Sequence, residues 1–327
     1  MSALRRRGIW VIPALLVLAS CARQDTEIVN GRALTKIIVQ MDWYAQAEQG
    51  GYYEAMTKGY YRDAGLDVSI VQAGPEVPID LKLATGVVQF GIGRADDTIV
   101  AIARDIPVVI VSALMEHDLQ AVLLHEDSPV KSFKDLDGKS VMTVPGSYWI
   151  TYMEKTFHEK IGIIPLNFGL AQFMSDPNYI QQCFLTSEPY YVEQHGGHSR
   201  VMLFSEAGYD FYRVLSGNVD WINKHRAQTR AFIAASTKGW YEYLYGDPTP
   251  ANREILADNL QMKQEFLDYA VMALKKYKLV SGDPAKGEAI GRLSRDRLQT
   301  QINILSSLGV LDHPVTVDEI ADLSLSQ

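Results

Sequence analysis

From residue 36 onward, short apolar and β-branched runs alternate with stretches in which apolar residues recur every three or four positions. The short runs have the length and composition of strands, and the longer period is that of helices with one buried face. The pattern predicts strands at 36–41, 67–71, 89–92, 107–113 and 120–125. Between the first two, Tyr52, Ala55, Met56, Gly59 and Tyr60 fall on one side of a helix over 51–64, and Gly65 supplies a stop. Asp96 or Asp97 is placed to cap a helix running to Arg104. Strands joined by helical crossovers are the mark of βα units around parallel sheets.

A second set begins after Glu126. Residues 133–139 carry turn chemistry ahead of a strand at 140–144, and Pro145-Gly146-Ser147 opens a helix to Glu159. A strand near 166–170 follows, then a helix with Asp176 as its cap and Pro177 in its first turn, then strands at 201–204 and 213–216. After Asp220 the alternation stops, and Phe232, Ala235, Gly239, Trp240, Tyr243 and Leu244 form one long apolar stripe. There is no internal repeat and no low-complexity tract.

This order predicts an α/β chain of two lobes. Residues 36–118 and 217–327 make lobe 1, residues 119–216 make lobe 2, and the helical C-terminal part packs on lobe 1. The chain crosses near 119–127 and returns near 214–217. Two lobes joined by paired crossings enclose a cleft that opens and closes, and ligands of open α/β sheets sit outside the carboxyl ends of the strands.

The first 35 residues do not fit the alternation. Arg5, Arg6 and Arg7 precede an apolar run over 9–18, too short to span a bilayer, which reads as a signal peptide over 1–21. The run ends in Leu18-Ala19-Ser20-Cys21, which resembles the lipobox of bacterial lipoproteins. That resemblance makes Cys21 the lipidated first residue of the mature chain, and the polar stretch 22–35 its tether. An ordinary signal peptide or an N-terminal anchor helix is the alternative.

Composition narrows the partners. The formal charge is −8, and without the three leader arginines 28 basic residues face 39 acidic ones. So acidic a surface is a poor match for nucleic acid. Only Cys21 and Cys183 are present, so a lipidated Cys21 leaves no intrachain disulfide and no cysteine-based metal cluster. Cys183, inside an apolar-flanked stretch, reads as a small buried residue, and His195-Gly196-Gly197-His198 as a surface loop.

The loops after the strands carry a family likeness. Met41-Asp42-Trp43, the helix after it, and Gly65-Leu66-Asp67-Val68 resemble the opening of the periplasmic solute-binding family that serves thiamine-pyrimidine precursors, sulfonates and nitrate. Gly91-Ile92-Gly93-Arg94-Ala95-Asp96-Asp97, Asp135-Leu136-Asp137-Gly138-Lys139 and Thr186-Ser187-Glu188-Pro189-Tyr190 resemble three later segments of that family, in order. The resemblance implies a two-lobe periplasmic-binding-protein fold (type II) acting as the receptor of an ABC importer. It further implies a monomer with no cofactor, delivering a small molecule to permease and ATPase subunits and touching the membrane only through its lipid. No Gly-rich phosphate loop ending in Gly-Lys-Ser or Gly-Lys-Thr is present for ATP hydrolysis. Arg94 stands where glycine is common in the family, and Tyr44-Ala45-Gln46 where Thr-Pro-Asn is frequent, which leaves the ligand more open than the fold.

Several residues are candidates for the cleft. Trp43 and Tyr44 follow the first strand and offer aromatic faces to a flat heterocycle, with Asp42 or Gln46 to bond its ring nitrogens or amine; a core tryptophan beside a satisfied aspartate is the competing reading. Arg94 and Asp96 either reach the ligand or start a solvated helix. Gly146 and Ser147 precede a helix whose free amides favour an oxygen ligand, or are plain turn and cap, and Tyr148 or Trp149, not both, faces the cleft. Glu188, read on a short strand between lobes, pairs with a ligand amine or a hinge partner, and Tyr190 stacks or packs.

Three function classes follow. A receptor for an aromatic heterocycle, a thiamine-pyrimidine precursor or a flavin-like ring, uses the aromatic residues and carboxylates. A receptor for a sulfonate, nitrate or similar anion relies on Arg94 and the Ser147 helix start. The fold also resembles a fungal enzyme that makes the thiamine pyrimidine, but its cysteine-rich segment is missing here, and neither a nucleophile elbow nor a zinc-protease helix occurs, so the chain reads as no enzyme. A sensory domain docking its closed form to a membrane partner is a further reading.

Overall fold

The computed structural model describes residues 26–29, 32–75 and 77–326. The expected leader and Cys21 lie outside the described residues. The chain opens with β1 (Thr26–Val29) and β2 (Arg32–Gln40), which pair as an antiparallel hairpin, so the expected tether gives way to sheet before residue 35. There follow α1 (Gly50–Thr57), α2 (Tyr60–Asp63), β3 (Leu66–Val71), α3 (Ile79–Ala84), β4 (Phe90–Arg94), α4 (Ala95–Ile102) and β5 (Val108–Met115). The single helix expected over 51–64 is two, because Gly59 takes a φ of 75° that a continuing helix does not admit.

Next come β6 (Gln120–His125), β7 (Ser140–Thr143), α5 (Tyr148–Phe157), β8 (Gly162–Pro165), α6 (Ala171–Ser175), β9 (Gln181–Phe184), α7 (Glu188–Gln194) and β10 (Ser199–Leu203). The strand expected at 166–170 is displaced to β8. At Phe168 the backbone has φ 59°, and the Gly169 amide donates to Asn167 Oδ1 at 2.9 Å, so apolar alternation there is a turn. Asp176 likewise ends a helix instead of starting one: its Oδ1 accepts from the Asn178 amide at 2.8 Å, folding the chain toward β9. The chain ends in β11 (Arg213–Asn218), α8 (Val219–Lys224), α9 (Arg226–Tyr245), α10 (Thr249–Asp258), α11 (Gln264–Lys276), α12 (Arg295–Leu308) and α13 (Val317–Ile320).

The strands form two mixed sheets flanked by helices, an α/β architecture of two units. The first runs β1-β2-β4-β11-β5 with β3 on β2; the second runs β10-β6-β9-β7-β8. Neither is purely parallel as expected, since β11 runs antiparallel between β4 and β5, and β6 runs antiparallel to both β10 and β9. Because β11 lies in the first sheet, the chain returns before Arg213, upstream of the return expected near 214–217. The crossings are residues 116–119 and 204–212.

One apolar cluster is centred on the first sheet, and a second joins Val122, Val141 and Trp149 of the second unit to Ile110 and Val214 of the first. In the first, Phe90 from β4 stacks on Phe232 from α9 at 4.6 Å with nearly parallel rings, and the stripe of Phe232, Ala235, Gly239, Trp240, Tyr243 and Leu244 is buried throughout. A Cβ at Gly239 would stand 2.7 Å from the Ala55 Cβ, so α9 lies against α1 with no side chain between them. In the second, Trp149 from α5 stacks on Phe204 at 4.3 Å. The C-terminal helices do more than pack on the first unit. Lys155 of α5 donates to the Leu308 carbonyl at the end of α12 at 2.8 Å, so the chain's end touches both units. Among the described residues no helix is long and apolar enough to cross a membrane.

Candidate functional site

A cavity of about 890 Å³ opens between the two sheets, at the carboxyl ends of β2, β4, β7, β8 and β9. Loops after parallel strands converge at that end, which is why sites of such sheets form there. The first unit contributes Asp42, Trp43, Gln46, Glu48, Arg94, Arg213 and Ser216; the second contributes Gln120, Phe168, Gln182, Phe184 and Glu188.

Of the eleven residues proposed from the sequence, the cavity brings together Asp42, Trp43, Gln46, Arg94 and Glu188. The other six do not line it. Tyr44 is exposed, its ring edge-on to Trp43. Asp96 is buried beneath Arg94. Gly146 is exposed and Ser147 Oγ donates to the Val144 carbonyl at 2.7 Å, so that helix start presents a turn, not a ligand cradle. Tyr148 is half-buried beside the buried Trp149, and neither lines the cavity. Tyr190 packs on Phe266 and Tyr269, with ring centroids 5.3 and 5.4 Å away.

Trp43 and Phe168 face one another from opposite units, their centroids 5.4 Å apart and their planes tilted by 35°. They make an aromatic wall at the mouth. Phe184 adds a third ring, with the Arg213 guanidinium 5.9 Å from its centroid.

Two of the three arginines that line the cavity, Arg94 and Arg213, are already committed. Arg94 pairs with Asp96, Nε donating to Oδ1 at 2.9 Å and the second guanidinium nitrogen to Oδ2, which also accepts from Tyr209 Oη at 2.6 Å. The helix α4 is therefore capped differently from the expectation: Arg94 is its N-cap, and Asp96 turns inward to hold the guanidinium and the Asp97 amide. Arg213, nearly buried, pairs with Asp42. Each of these guanidinium charges is already matched by a carboxylate, which weakens its pull on an anion.

The carboxyls are differently placed. Glu188 begins α7, with Pro189 in its first turn, where a strand was expected, because proline's fixed φ suits a helix start. Its Oε2 accepts from the Phe184 amide at 2.7 Å, and burial pushes its carboxyl up to about 7. Glu48 lies in the 3-10 turn Ala47–Gln49, is 5% exposed, accepts from the Thr186 hydroxyl, and is likewise pushed up to about 7 by burial. Both carry a proton for part of the time near neutrality. Glu48 was missed in the sequence, as were Gln120, Phe168, Gln182, Phe184 and Arg213. A lone glutamate at a helix start reads as solvated, and only the register of one unit against the other puts these residues in a common cavity.

The arrangement can hold a flat, uncharged or cationic ring that stacks on indole and phenyl faces and donates hydrogen bonds to carboxyl groups. Comparison with known proteins bears on which one. The profile of the family described as NMT1/THI5 like matches residues 46–251. A formylaminopyrimidine-binding protein of Halalkalibacterium halodurans is 29% identical over 95% of this chain and 96% of its own length. A 4-amino-5-hydroxymethyl-2-methylpyrimidine phosphate synthase of Aspergillus parasiticus is 27% identical, over 32% of this chain and 31% of its own. Among solved structures, the periplasmic aliphatic sulphonate binding protein SsuA of Escherichia coli superposes with a TM-score of 0.62 at 14% identity, covering 88% of this chain and 92% of that one. At that identity the likeness is one of fold, the two-unit periplasmic-binding-protein fold.

Proposed function

The chain belongs to the NMT1/THI5-like family, and from that premise we propose that it is the substrate-binding receptor of an ABC importer, capturing a small aminopyrimidine of the thiamine-precursor type by closure of its two units. The observation that carries this reading is the pairing in one cavity of an aromatic wall, Trp43 with Phe168, and two buried carboxyls, Glu48 and Glu188. Aromatic faces take the ring, and the carboxyls take its amine and ring nitrogen. The end-to-end match to a formylaminopyrimidine-binding protein supports the same ligand class.

The anion reading has less support, because Arg94 and Arg213 are held by Asp96 and Asp42 and the Ser147 helix start stands outside the cavity. The synthase reading rests on a match to about a third of the chain, against a receptor match over nearly all of it. In the proposed role the protein is a monomer held to the membrane on the periplasmic side by the lipid on Cys21, and it hands its cargo to permease and ATPase subunits.

The test is mass spectrometry of the ligand released from purified protein, followed by calorimetry with formylaminopyrimidine and with an aliphatic sulfonate. Formylaminopyrimidine should bind, raise the melting temperature and compact the protein in solution scattering, since a ligand of the closed state shifts the population toward it. Tight binding of the sulfonate in its place, or turnover of the pyrimidine, defeats the proposal.

A further inference from the structure

Three buried polar atoms on residues that line the cavity have no hydrogen-bond partner among the described residues: Glu48 Oε2, Gln120 Oε1 and Ser216 Oγ. Their residues are 5%, 3% and 2% exposed. A buried acceptor left unpaired is costly, and a folded protein tolerates one chiefly where a water or a ligand completes it. Glu48 is the sharpest case. Its other oxygen is fixed by the Thr186 hydroxyl, which comes from the loop between β9 and α7 in the opposite unit, so the carboxyl is anchored on one side and unpaired on the other. Gln120 is held at its backbone, its amide donating to Asp118 Oδ1 at 3.1 Å, while its side-chain oxygen is unused.

Resting on the aminopyrimidine reading, we propose that Glu48 and Gln120 form a second recognition point, distinct from Glu188, that reads a hydrogen-bond-donating edge of the ligand, and that Thr186 is the residue positioning the Glu48 carboxyl. Two unpaired acceptors lining one cavity suit an amino group, whose two hydrogens point to different partners. They do not suit a sulfonate or nitrate, which brings only acceptors and would add charge beside a carboxylate. Specificity of this kind is strong, since a ligand lacking the donor leaves the buried acceptors unpaired. Because Glu48 and Glu188 share the cavity and the charge of one raises the other, a ligand that engages Glu48 also changes the number of protons the site holds.

The mature chain is tested with formylaminopyrimidine by calorimetry. Glu48→Gln keeps the side chain's shape and an acceptor for Thr186 but removes the charge. Affinity should fall about tenfold or more, and the proton count on binding, read from heats in two buffers of different ionisation enthalpy at one pH, should change. Thr186→Val should lose affinity in the same direction, and Thr186→Ser should restore it with the wild-type proton count. Should Glu48→Gln fail to fold, the Thr186 pair decides. The donor edge is read separately with two fragments: 4-aminopyrimidine should raise the wild-type melting temperature more than pyrimidine does, and Glu48→Gln should lose that preference. Failure of formylaminopyrimidine to bind defeats the reading of function alone. A wild-type chain indifferent to the two fragments, or a folded Glu48→Gln with unchanged affinity and proton count, overturns the present inference.

Discussion

His117 and Asp210 sit on the two segments that cross between the units, and the imidazole Nδ1 lies 2.8 Å from Asp210 Oδ2. Its Nε2 lies 3.2 Å from Glu288 Oε2, Arg297 reaches Asp210 at 3.0 Å and Glu116 at 3.7 Å, and the Asp118 amide donates to Asp210 Oδ1 at 3.1 Å. One cluster thus ties both crossings to the C-terminal helices.

That cluster predicts a pH dependence. The hydrogen bond to Asp210 raises the His117 imidazole above its ordinary value, against the opposing effect of burial. A group raised on folding contributes stability that is full below the unfolded histidine value and is lost as pH rises through the folded one. Burial pushes Glu116 up to about 8, a carboxyl that folding keeps protonated, which acts in the same sense: stability is lost as pH climbs toward that value. Melting temperature should therefore decline from mildly acidic to mildly alkaline pH, and His117→Gln should flatten part of the decline. A parallel profile in the variant would show that the imidazole carries none of it.

Arg94 and the wall tryptophan should separate stability from binding. Arg94→Ala leaves the buried Asp96 without its cation, which is expected to cost about 3–5 kcal/mol of folding stability in denaturant titration. Trp43→Ala and Glu188→Ala should instead weaken ligand binding by about 1–3 kcal/mol each, measured by calorimetry. Full affinity in both of the latter would remove the proposed wall and its acid from the site.

Close approach of α9 to α1 makes Gly239 a sensitive position. Gly239→Ala places a methyl group against the Gly51 carbonyl and 2.7 Å from the Ala55 Cβ, and overpacking of this kind costs about 1–3 kcal/mol. Alanine ordinarily stabilises a helix relative to glycine, so a gain on urea unfolding would show that the helices part easily.

Anchoring is tested by Cys21→Ser, which should release the protein from membranes into the soluble envelope fraction, as read by fractionation. Continued membrane association would identify another anchor.

Much of the fold was legible because periodicity reports one-sided burial: the strand 120–125 and the stripe from Phe232 to Leu244 lie where the pattern put them. Misplaced elements lie where Asx chemistry competes with periodicity, at Asn167 and Asp176, whose side chains bond the backbone two residues on. At the cavity, Asp42, Trp43, Gln46, Arg94 and Glu188 were found because each belongs to a segment after or near a strand end. Asp96 was read as a ligand contact or a solvated helix start, although a neighbouring arginine gave it a partner to bury with. Phe168 and Gln120 carry no local signal; what makes them cavity residues is the meeting of two sheets distant in sequence.

The placement of β11 sets an order of assembly. Residues 120–203 supply every strand of the second sheet as one unbroken stretch, whereas the middle of the first sheet lacks a strand until residue 218 has joined it. A chain emerging from its N-terminus can close the second sheet while the first still has an open gap between β4 and the Val-rich β5, whose facing edges remain unpaired. The unit that begins the sequence is the last to be finished, and its exposed interval is the stretch of synthesis or export most open to aggregation.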